Sequence, residues 1–259
     1  MKVTKAVIPA AGLGTRMQPA TKFFPKELLP IIAKPILFFV LEECENTGLN
    51  EVTLIVSQDK KPFFAQLPDF FPNLKLKFVI QEKAAGLGDA ILTAGKEVGD
   101  NPFLILLPDI IIDGKKPVSR QLIEIFQETK KSVNATEHTS PEIISSYGVY
   151  DIASSKGKLH LAKGVVEKPP LKEATSDFTV TGRYLFTPDI FEILRKTKPG
   201  RNGEIQLADA MNTLAKIGGL HAFEFEGTHL DAGTPQGYLK TIYYFGAKQY
   251  GKNFYQGIA

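Results

Sequence analysis

Short apolar segments alternate with amphipathic segments of helical length through the first half of this chain of 259 residues. Strands are predicted at 5–9, 52–57, 76–81 and 103–107, with helical patterns at 36–47, 61–67 and 87–98. Such an alternation predicts a mostly parallel sheet with right-handed crossovers and helices on both faces. Ligands bind outside the carboxyl ends of strands in such sheets, so the residues that follow each strand are the first candidates for a site.

The second half has a more mixed pattern. Antiparallel strands are predicted at 147–152, 159–167 and 178–186, and helices at 188–196, 204–216 and 234–250. The last helix has Thr234 as its expected N-cap and Pro235 at its first position. No internal repeat and no clear linker divides the sequence, so we expect one domain over residues 1–259.

The loop after the first predicted strand is rich in small residues and carries basic side chains. Residues 8–30 read IPAAGLGTRMQPATKFFPKELLP. The small residues are Ala10, Ala11, Gly12 and Gly14. They allow the backbone to turn sharply and to bind an anion through unpaired N–H groups. Arg16 and Lys26 add two cations, a set suited to a triphosphate. The loop matches neither the P-loop nor the dinucleotide-binding pattern.

Composition excludes several classes of protein. The formal net charge is +3 with scattered lysines, which argues against a nucleic-acid binder but is compatible with a small anionic substrate. No apolar run is long enough to span a bilayer, and the N-terminal apolar segment is too short for a signal peptide. We therefore expect a cytoplasmic protein that acts without nucleic acid or membrane. The histidines show no metal-ligand or triad spacing, and we expect them to be structural or exposed.

Two aspartates stand at the ends of predicted strands. Asp109 closes the apolar run FLILLPD, and Asp231 ends a strand-like segment before Ala-Gly-Thr. An aspartate at a strand end is also a common cap or turn residue. Mg²⁺, however, prefers one or two carboxylates together with phosphate oxygens and water. Two such acids suit a shared metal better than either suits one alone.

Further candidates are suited to a nucleobase and a sugar phosphate. Gln81 ends a strand and offers a donor and an acceptor, which can read the imide edge of uracil or thymine, although a solvated strand-end glutamine is the simpler alternative. Gly148 allows a close approach to a hexose. Glu167 suits sugar hydroxyls and Lys168 suits a sugar phosphate, although such a pair is also common on surfaces. Gly182, in the string Gly182-Arg183-Tyr184, is a further candidate for the sugar-phosphate side.

These strings together resemble the signature of the sugar-1-phosphate nucleotidyltransferases. The carriers of the resemblance are GLGTR, TKFFPKELLP, the following Lys34-Pro35, and GEIQLADA at 203–210. Among these enzymes the chain looks most like the bacterial UTP–glucose-1-phosphate uridylyltransferases, since GEIQ resembles them more than the thymidylyltransferases. The resemblance runs from Lys5 to about Tyr244.

The resemblance implies a Rossmann-like α/β fold: a mixed, mostly parallel central sheet flanked by helices, with a smaller antiparallel sugar-binding part. It implies a nucleotide-binding half over about 1–135 and a sugar-phosphate-binding half with the C-terminal helix over about 136–259. It also implies UTP and glucose 1-phosphate as substrates and Mg²⁺ as cofactor. It leaves room for a homo-oligomer.

The resemblance also assigns roles to single residues. It implies that Asp109 and Asp231 bind the catalytic Mg²⁺, and that Arg16, Lys26 and Lys168 act on the phosphates. The implied nucleotide-binding set is Ala10, Ala11, Gly12, Gly14, Thr15, Arg16, Lys26, Gln81 and Gly86. The implied sugar-phosphate-binding set is Gly148, Glu167, Lys168 and Gly182. One position departs from the uridylyltransferases, which are expected to have histidine where this chain has Asp89.

Two alternative functions stay open. A glucose-1-phosphate thymidylyltransferase is one, because Gln81 would read thymine as well as uracil and the 5-methyl group needs only space. The stretch 59–81 is shorter than expected for a uridylyltransferase and closer to the thymidylyltransferases, so the resemblance does not fix the oligomeric state. The other is a non-catalytic regulator that binds a sugar nucleotide in the same fold.

Overall fold

The computed structural model describes residues 2–200 and 203–254. Its strands are β1 (Lys5–Pro9), β2 (Pro30–Ile31), β3 (Lys34–Pro35), β4 (Glu51–Val56), β5 (Lys75–Ile80), β6 (Phe103–Leu106), β7 (Ile110–Asp113), β8 (Ser132–His138), β9 (Gly148–Lys156), β10 (Leu159–Glu167), β11 (Phe178–Phe186), β12 (Leu220–Glu224) and β13 (Thr228–Asp231). Its α-helices are α1 (Ile36–Thr47), α2 (Leu67–Phe70), α3 (Leu87–Thr93), α4 (Gly95–Val98), α5 (Val118–Thr129), α6 (Ile190–Lys196), α7 (Leu207–Lys216) and α8 (Pro235–Tyr250).

Nine strands form the main sheet, in the order β5-β4-β1-β6-β11-β8-β12-β10-β9. The strands β5, β4, β1 and β6 are parallel, as the alternation predicts. Beyond β6 the sheet turns antiparallel at β11, and only β12 and β8 are parallel there. The prediction of a mostly parallel sheet is therefore wrong. Strands β9 and β10 are joined by a tight turn, which produces antiparallel neighbours, and they extend the main sheet instead of forming a separate antiparallel part.

Side chains of the central strands alternate between two apolar layers. In β1, Ala6 and Ile8 pack into one cluster with α1 and α5, whereas Val7 packs into the other with α3, α6 and α7. This alternation follows from the period of two in a strand. The sheet is thus covered on both faces, which is why the parallel strands read as continuous apolar runs.

Sequence patterns missed several elements and misplaced others. Helix α5 and strands β8 and β12 were not predicted, although α5 buries Val118, Leu122 and Phe126 at helical spacing. The helix predicted over 87–98 is divided at Ala94 into α3 and α4, and the one over 61–67 is a 3-10 turn at Lys61–Phe64 followed by α2. The helix predicted from residue 204 begins at Leu207.

A separate pair of antiparallel strands lies outside the main sheet. Strand β7 pairs with β13, with Asp231 opposite Ile110 and Thr228 opposite Asp113. Helix α8 follows directly, and the Thr234 hydroxyl accepts a hydrogen bond from the N–H of Gly237 as the predicted N-cap. This pair brings the end of β13 to the loop after β6. Within the described part of the chain, no helix combines the length and apolarity required to cross a membrane.

Candidate active site

The small-residue loop begins at the carboxyl end of β1. Gly14 adopts φ 64° as it enters the 3-10 turn Thr15–Met17, and the Thr21 hydroxyl donates to its carbonyl oxygen at 2.8 Å. The N–H groups of residues 11–14 donate to no acceptor within the described ranges. They are therefore available to an anion, as the sequence predicts. Residues 11–15 line a cleft of about 390 Å³.

A buried ammonium fixes the carbonyl side of this loop. The Lys60 Nζ donates to the carbonyl oxygens of Ala10 at 3.0 Å and Gly12 at 2.5 Å, and to the carboxylate of Glu27 at 3.0 Å. The Glu27 side chain is fully buried, and this burial raises the pKa of its carboxyl group although the neighbouring lysines oppose it. Sequence reasoning missed this pair, because nothing local links positions 27 and 60.

The far end of the same cleft is formed by the turn after β5. Gln81 is buried and lies beside Gly86, which starts α3 with φ 101°. The Gln81 amide nitrogen donates to the Gly86 carbonyl oxygen at 3.2 Å and to the Asp89 carboxylate at 2.7 Å. Asp89, where the resemblance leads us to expect histidine, thus accepts a hydrogen bond from Gln81.

The segment 203–206 packs against this turn. The Gly88 N–H donates to the Ile205 carbonyl oxygen at 2.8 Å, and the Ile205 N–H donates to the Ala85 carbonyl oxygen at 2.8 Å. A Cβ on Gly86 would lie 2.7 Å from the Ile205 carbonyl oxygen, so only glycine permits this contact. The GEIQ string therefore supports the turn that carries Gln81, and Glu204 lines the cleft.

Asp109 and Asp231 converge at the loop after β6. Both carboxylates crowd the position that a Cβ on Gly233 would occupy: Asp231 Oδ1 would lie 3.0 Å from it, and Asp109 Oδ2 closer still. Backbone contacts hold them there, because the Ala232 N–H donates to the Asp109 carbonyl oxygen at 2.9 Å and the Gly233 N–H to Asp231 Oδ1 at 2.8 Å. Two acids that are 122 positions apart in the numbering thus share one small volume.

Lys26 joins this pair of acids. Its Nζ donates to Asp109 Oδ2 at 2.5 Å, and both groups are largely buried. Burial raises the pKa of the Asp109 carboxyl group, but the charge and hydrogen bond of Lys26 outweigh it, so that the pKa is lowered overall. Burial likewise opposes the charged form of Lys26, but Asp109 and Glu27 raise its pKa. Both groups are therefore charged at neutral pH.

Asp109 and Asp231 fit a metal ion whose remaining ligands come from substrate and water. Among the described residues, no cluster of three or more His, Cys, Asp or Glu side chains has the arrangement of a self-sufficient metal centre. Two converging carboxylates match the protein share of a Mg²⁺ site, in which phosphate oxygens and water supply the other ligands. Gly233 leaves open the space between them.

The second cleft, of about 320 Å³, contains the predicted sugar-phosphate residues. Its lining includes Arg16, Asp109, Gly148, Glu167, Lys168, Gly182 and Asp231. A Cβ on Gly148 would lie 3.3 Å from Glu167 Oε2, so the glycine leaves room beside that carboxylate. Lys168 has φ 46° and pairs with Glu167 at 2.9 Å. Arg16 is exposed and, over residues 2–200 and 203–254, has no hydrogen-bonded or ionic partner.

The cleft also contains side chains that sequence reasoning did not single out. Tyr147 points its hydroxyl at Asp231, 3.5 Å from Oδ2, and burial together with that charge raises its pKa to about 12. His229 lies beside the acids and is hydrogen-bonded through Nδ1 to Glu137. A signal existed for Tyr147, which precedes Gly148. His229 lies two residues before Asp231, on the same face of β13.

Comparisons of sequence agree with this geometry. A family model described as nucleotidyl transferase matches residues 5–246. The UTP–glucose-1-phosphate uridylyltransferase of Bacillus subtilis is 36% identical, over 94% of this chain and 91% of that protein. The UTP–glucose-1-phosphate uridylyltransferase 2 of Streptococcus pyogenes serotype M1 is 38% identical, over 93% of this chain and 89% of that protein.

Comparisons of structure give the same result. A crystal structure of UDP-glucose pyrophosphorylase complexed with UDP-glucose superposes with a TM-score of 0.90 at 33% identity, covering 96% of this chain and all of that one. A UTP-bound enzyme of the same type from Acinetobacter baumannii superposes with a TM-score of 0.86 at 29% identity, covering 99% of both chains. The mixed α/β fold is therefore the fold of these structures.

Proposed function

The chain belongs to the nucleotidyl transferase family, and we propose that it transfers a uridylyl group from UTP to glucose 1-phosphate, giving UDP-glucose and pyrophosphate. Its bacterial relatives are named for this activity, and they match more than nine tenths of the chain. A structural relative is described as bound to UDP-glucose and another to UTP. The enzyme acts as one domain, whose first 135 residues bind the nucleotide and whose remainder binds the sugar phosphate.

One observation supports this proposal most directly. The glycine-loop cleft and the second cleft adjoin each other, with Leu87 and Glu204 lining both. Arg16 and the converging acids Asp109 and Asp231 line the second cleft. A nucleotide in the first and a sugar phosphate in the second would therefore bring their phosphates together beside carboxylates and cations.

In the proposed reaction, an oxygen of the sugar phosphate attacks the α-phosphorus of UTP. The new P–O bond forms as the bond from the α-phosphorus to the bridging oxygen breaks, and pyrophosphate leaves with that electron pair. The attacking phosphate is already ionised at neutral pH, so no strong general base is needed. Catalysis is then mainly positioning and neutralisation of charge.

Three basic side chains supply this neutralisation. Arg16, whose side chain makes no hydrogen bond or salt bridge within the described residues, stabilises the leaving β- and γ-phosphates together with the loop N–H groups. Lys26 binds the α-phosphate, and its raised pKa keeps it charged. Lys168 binds the attacking sugar phosphate beside Glu167, which receives sugar hydroxyls.

Asp109 and Asp231 would hold Mg²⁺. When bound, Mg²⁺ neutralises charge on the phosphate oxygens that it contacts. The lowered pKa of Asp109 keeps that ligand ionised, and Tyr147 orients Asp231 through its hydroxyl.

The test is Mg²⁺-dependent release of pyrophosphate with glucose 1-phosphate and UTP, dTTP, ATP, CTP or GTP. We expect UTP to give the highest rate. Asp109→Asn should lower that rate at least about a hundredfold, because the proposed Mg²⁺ site beside the phosphates loses one of its two charged protein ligands. The matched control is Asp100→Asn, at an exposed position, which should leave the rate unchanged.

Preference for dTTP would move the enzyme to the thymidylyl reaction. The proposal would be refuted if none of the five nucleotides gave pyrophosphate release. A near-normal rate in Asp109→Asn would remove that residue from the site.

A further inference from the structure

Both amide hydrogens of Gln81 are used within the protein. The nitrogen donates to the Asp89 carboxylate at 2.7 Å and to the Gly86 carbonyl oxygen at 3.2 Å. Carboxylate and carbonyl oxygens accept hydrogen bonds and donate none, so both contacts require the nitrogen end of the amide, and the contact with Asp89 is the shorter and the charged one of the two. Gln81 is buried and Asp89 is half-buried.

The carbonyl oxygen of Gln81 is consequently left for a ligand. No group within residues 2–200 and 203–254 donates to Gln81 Oε1, and Gln81 lines the nucleotide cleft. The neighbouring backbone N–H groups of Gly86 and Leu87 also donate to no acceptor within those ranges, and both residues line the same cleft. The cleft thus presents an acceptor next to donors.

This arrangement is complementary to one type of nucleobase edge. Uracil and thymine present an N3–H between two carbonyl oxygens, which matches an acceptor beside donors. Cytosine presents a lone pair at N3, which would face Gln81 Oε1 and find no donor. A buried polar group left unpaired costs more than a hydrogen bond contributes.

We propose that Asp89 is a positioning residue for base selection: it holds the Gln81 amide with Oε1 toward the base, so that the site takes pyrimidines with an N3–H and rejects cytosine. This inference deepens the uridylyl transfer proposed above and rests on it. It also gives a role to Asp89, the position at which the resemblance leads us to expect histidine. If the Gln81 side-chain amide could rotate by 180°, it could present its nitrogen to cytosine as readily as its oxygen to uracil.

The test compares binding of UTP, dTTP and CTP, by calorimetry without sugar phosphate, to the wild type and to Asp89→Leu. In the variant the preference for UTP over CTP should fall about tenfold, the equivalent of one hydrogen bond. The ratio of UTP to dTTP should not change, because both present the same imide edge. A general disturbance of the cleft would weaken all three nucleotides alike. Asp89→Asn, which can donate or accept, should also lose selectivity.

Glu82→Gln is the matched control, since it removes an exposed carboxylate of the same turn and should retain the wild-type ratios. Melting temperatures identify any variant that fails to fold. An unchanged ratio of UTP to CTP in folded Asp89→Leu and Asp89→Asn would overturn the inference, as would a wild type that binds both equally. Binding does not depend on turnover, so inactivity of the wild type toward glucose 1-phosphate would refute only the proposed reaction.

Discussion

Replacement of Lys60 by methionine tests the buried ion pair beneath the glycine loop. The Lys60 side chain is 14% exposed and that of Glu27 is not exposed at all. Lys60→Met removes the direct partner of the carboxylate at nearly constant volume. Breaking a buried pair in this way costs about 3–5 kcal/mol, because one charge stays buried without compensation. A chain of this size loses about 2–4 °C in melting temperature per kcal/mol, so a decrease of roughly 6–20 °C is expected.

The double variant Lys60→Met, Glu27→Met separates the cost of the lone charge from the loss of the contacts to the loop. Replacing both members of a buried pair by apolar residues is often neutral. The remaining deficit should be about 1–3 kcal/mol, because the buried Ala10 carbonyl oxygen loses its donor while the exposed Gly12 carbonyl oxygen can reach water. Thermal unfolding by circular dichroism measures both variants. A double variant no more stable than the single one would refute this reasoning.

The pH dependence gives an independent check. Burial raises the pKa of Glu27, so its protonated form contributes stability at low pH that is lost as the pH rises through the folded-state pKa. Removing the Lys60 charge raises that pKa further. The deficit of Lys60→Met should therefore shrink when the pH is lowered from about 7.5 toward 5. A deficit that grows on acidification would contradict the assigned charge of Glu27.

Two further predictions concern the acids. Gly233→Ala places a Cβ against both carboxylates, so the rate of pyrophosphate release should fall at least about tenfold. The control is Gly95→Ala, whose Cβ would make only ordinary contacts with Phe191 and should leave the rate unchanged. Equal rates in the two variants would contradict the crowding at Gly233. In Lys26→Met the charge that outweighs burial at Asp109 is gone, so the pKa of this carboxyl group should rise above its ordinary value of 3.8. The stability deficit of Lys26→Met relative to the wild type should therefore shrink in urea titrations as the pH is lowered from about 7.5 toward 5, and a deficit that grows on acidification would refute the assignment.

Local rules predicted much of the nucleotide side. The glycine loop, Gln81 and Asp109 each follow a strand that apolar runs identify, and parallel strands bring their carboxyl ends to one edge. The orientation of the second half was not predictable in this way. On the side away from β1, the neighbour of β6 is β11, which lies more than seventy residues later, and no local pattern specifies that pairing.

Pairing between distant side chains was equally inaccessible. The contacts of Lys60 with Glu27 depend on how two loops meet in the folded chain. The local sequence around Lys60 does not distinguish a lysine buried in this way from an exposed one. A shared site for Asp231 and Asp109 was predicted from the chemistry of paired carboxylates and from the resemblance, without a topological reason. The acids meet through the separate pair β7–β13 and not through two strands of the main sheet.

The pairing of β7 with β13 has a consequence for how such a chain can diversify. It brings together the two ends of the segment 114–227, called the excursion below, which contains Gly148, Glu167, Lys168 and Gly182. The spacing of the two acids is set by backbone pairing at the base of the excursion and not by the side chains within it. Insertions and exchanges inside the excursion can therefore alter what lies opposite the acids without moving the acids themselves. A different acceptor substrate would require new side chains within residues 114–227, while the pairing of β7 with β13 stays as it is.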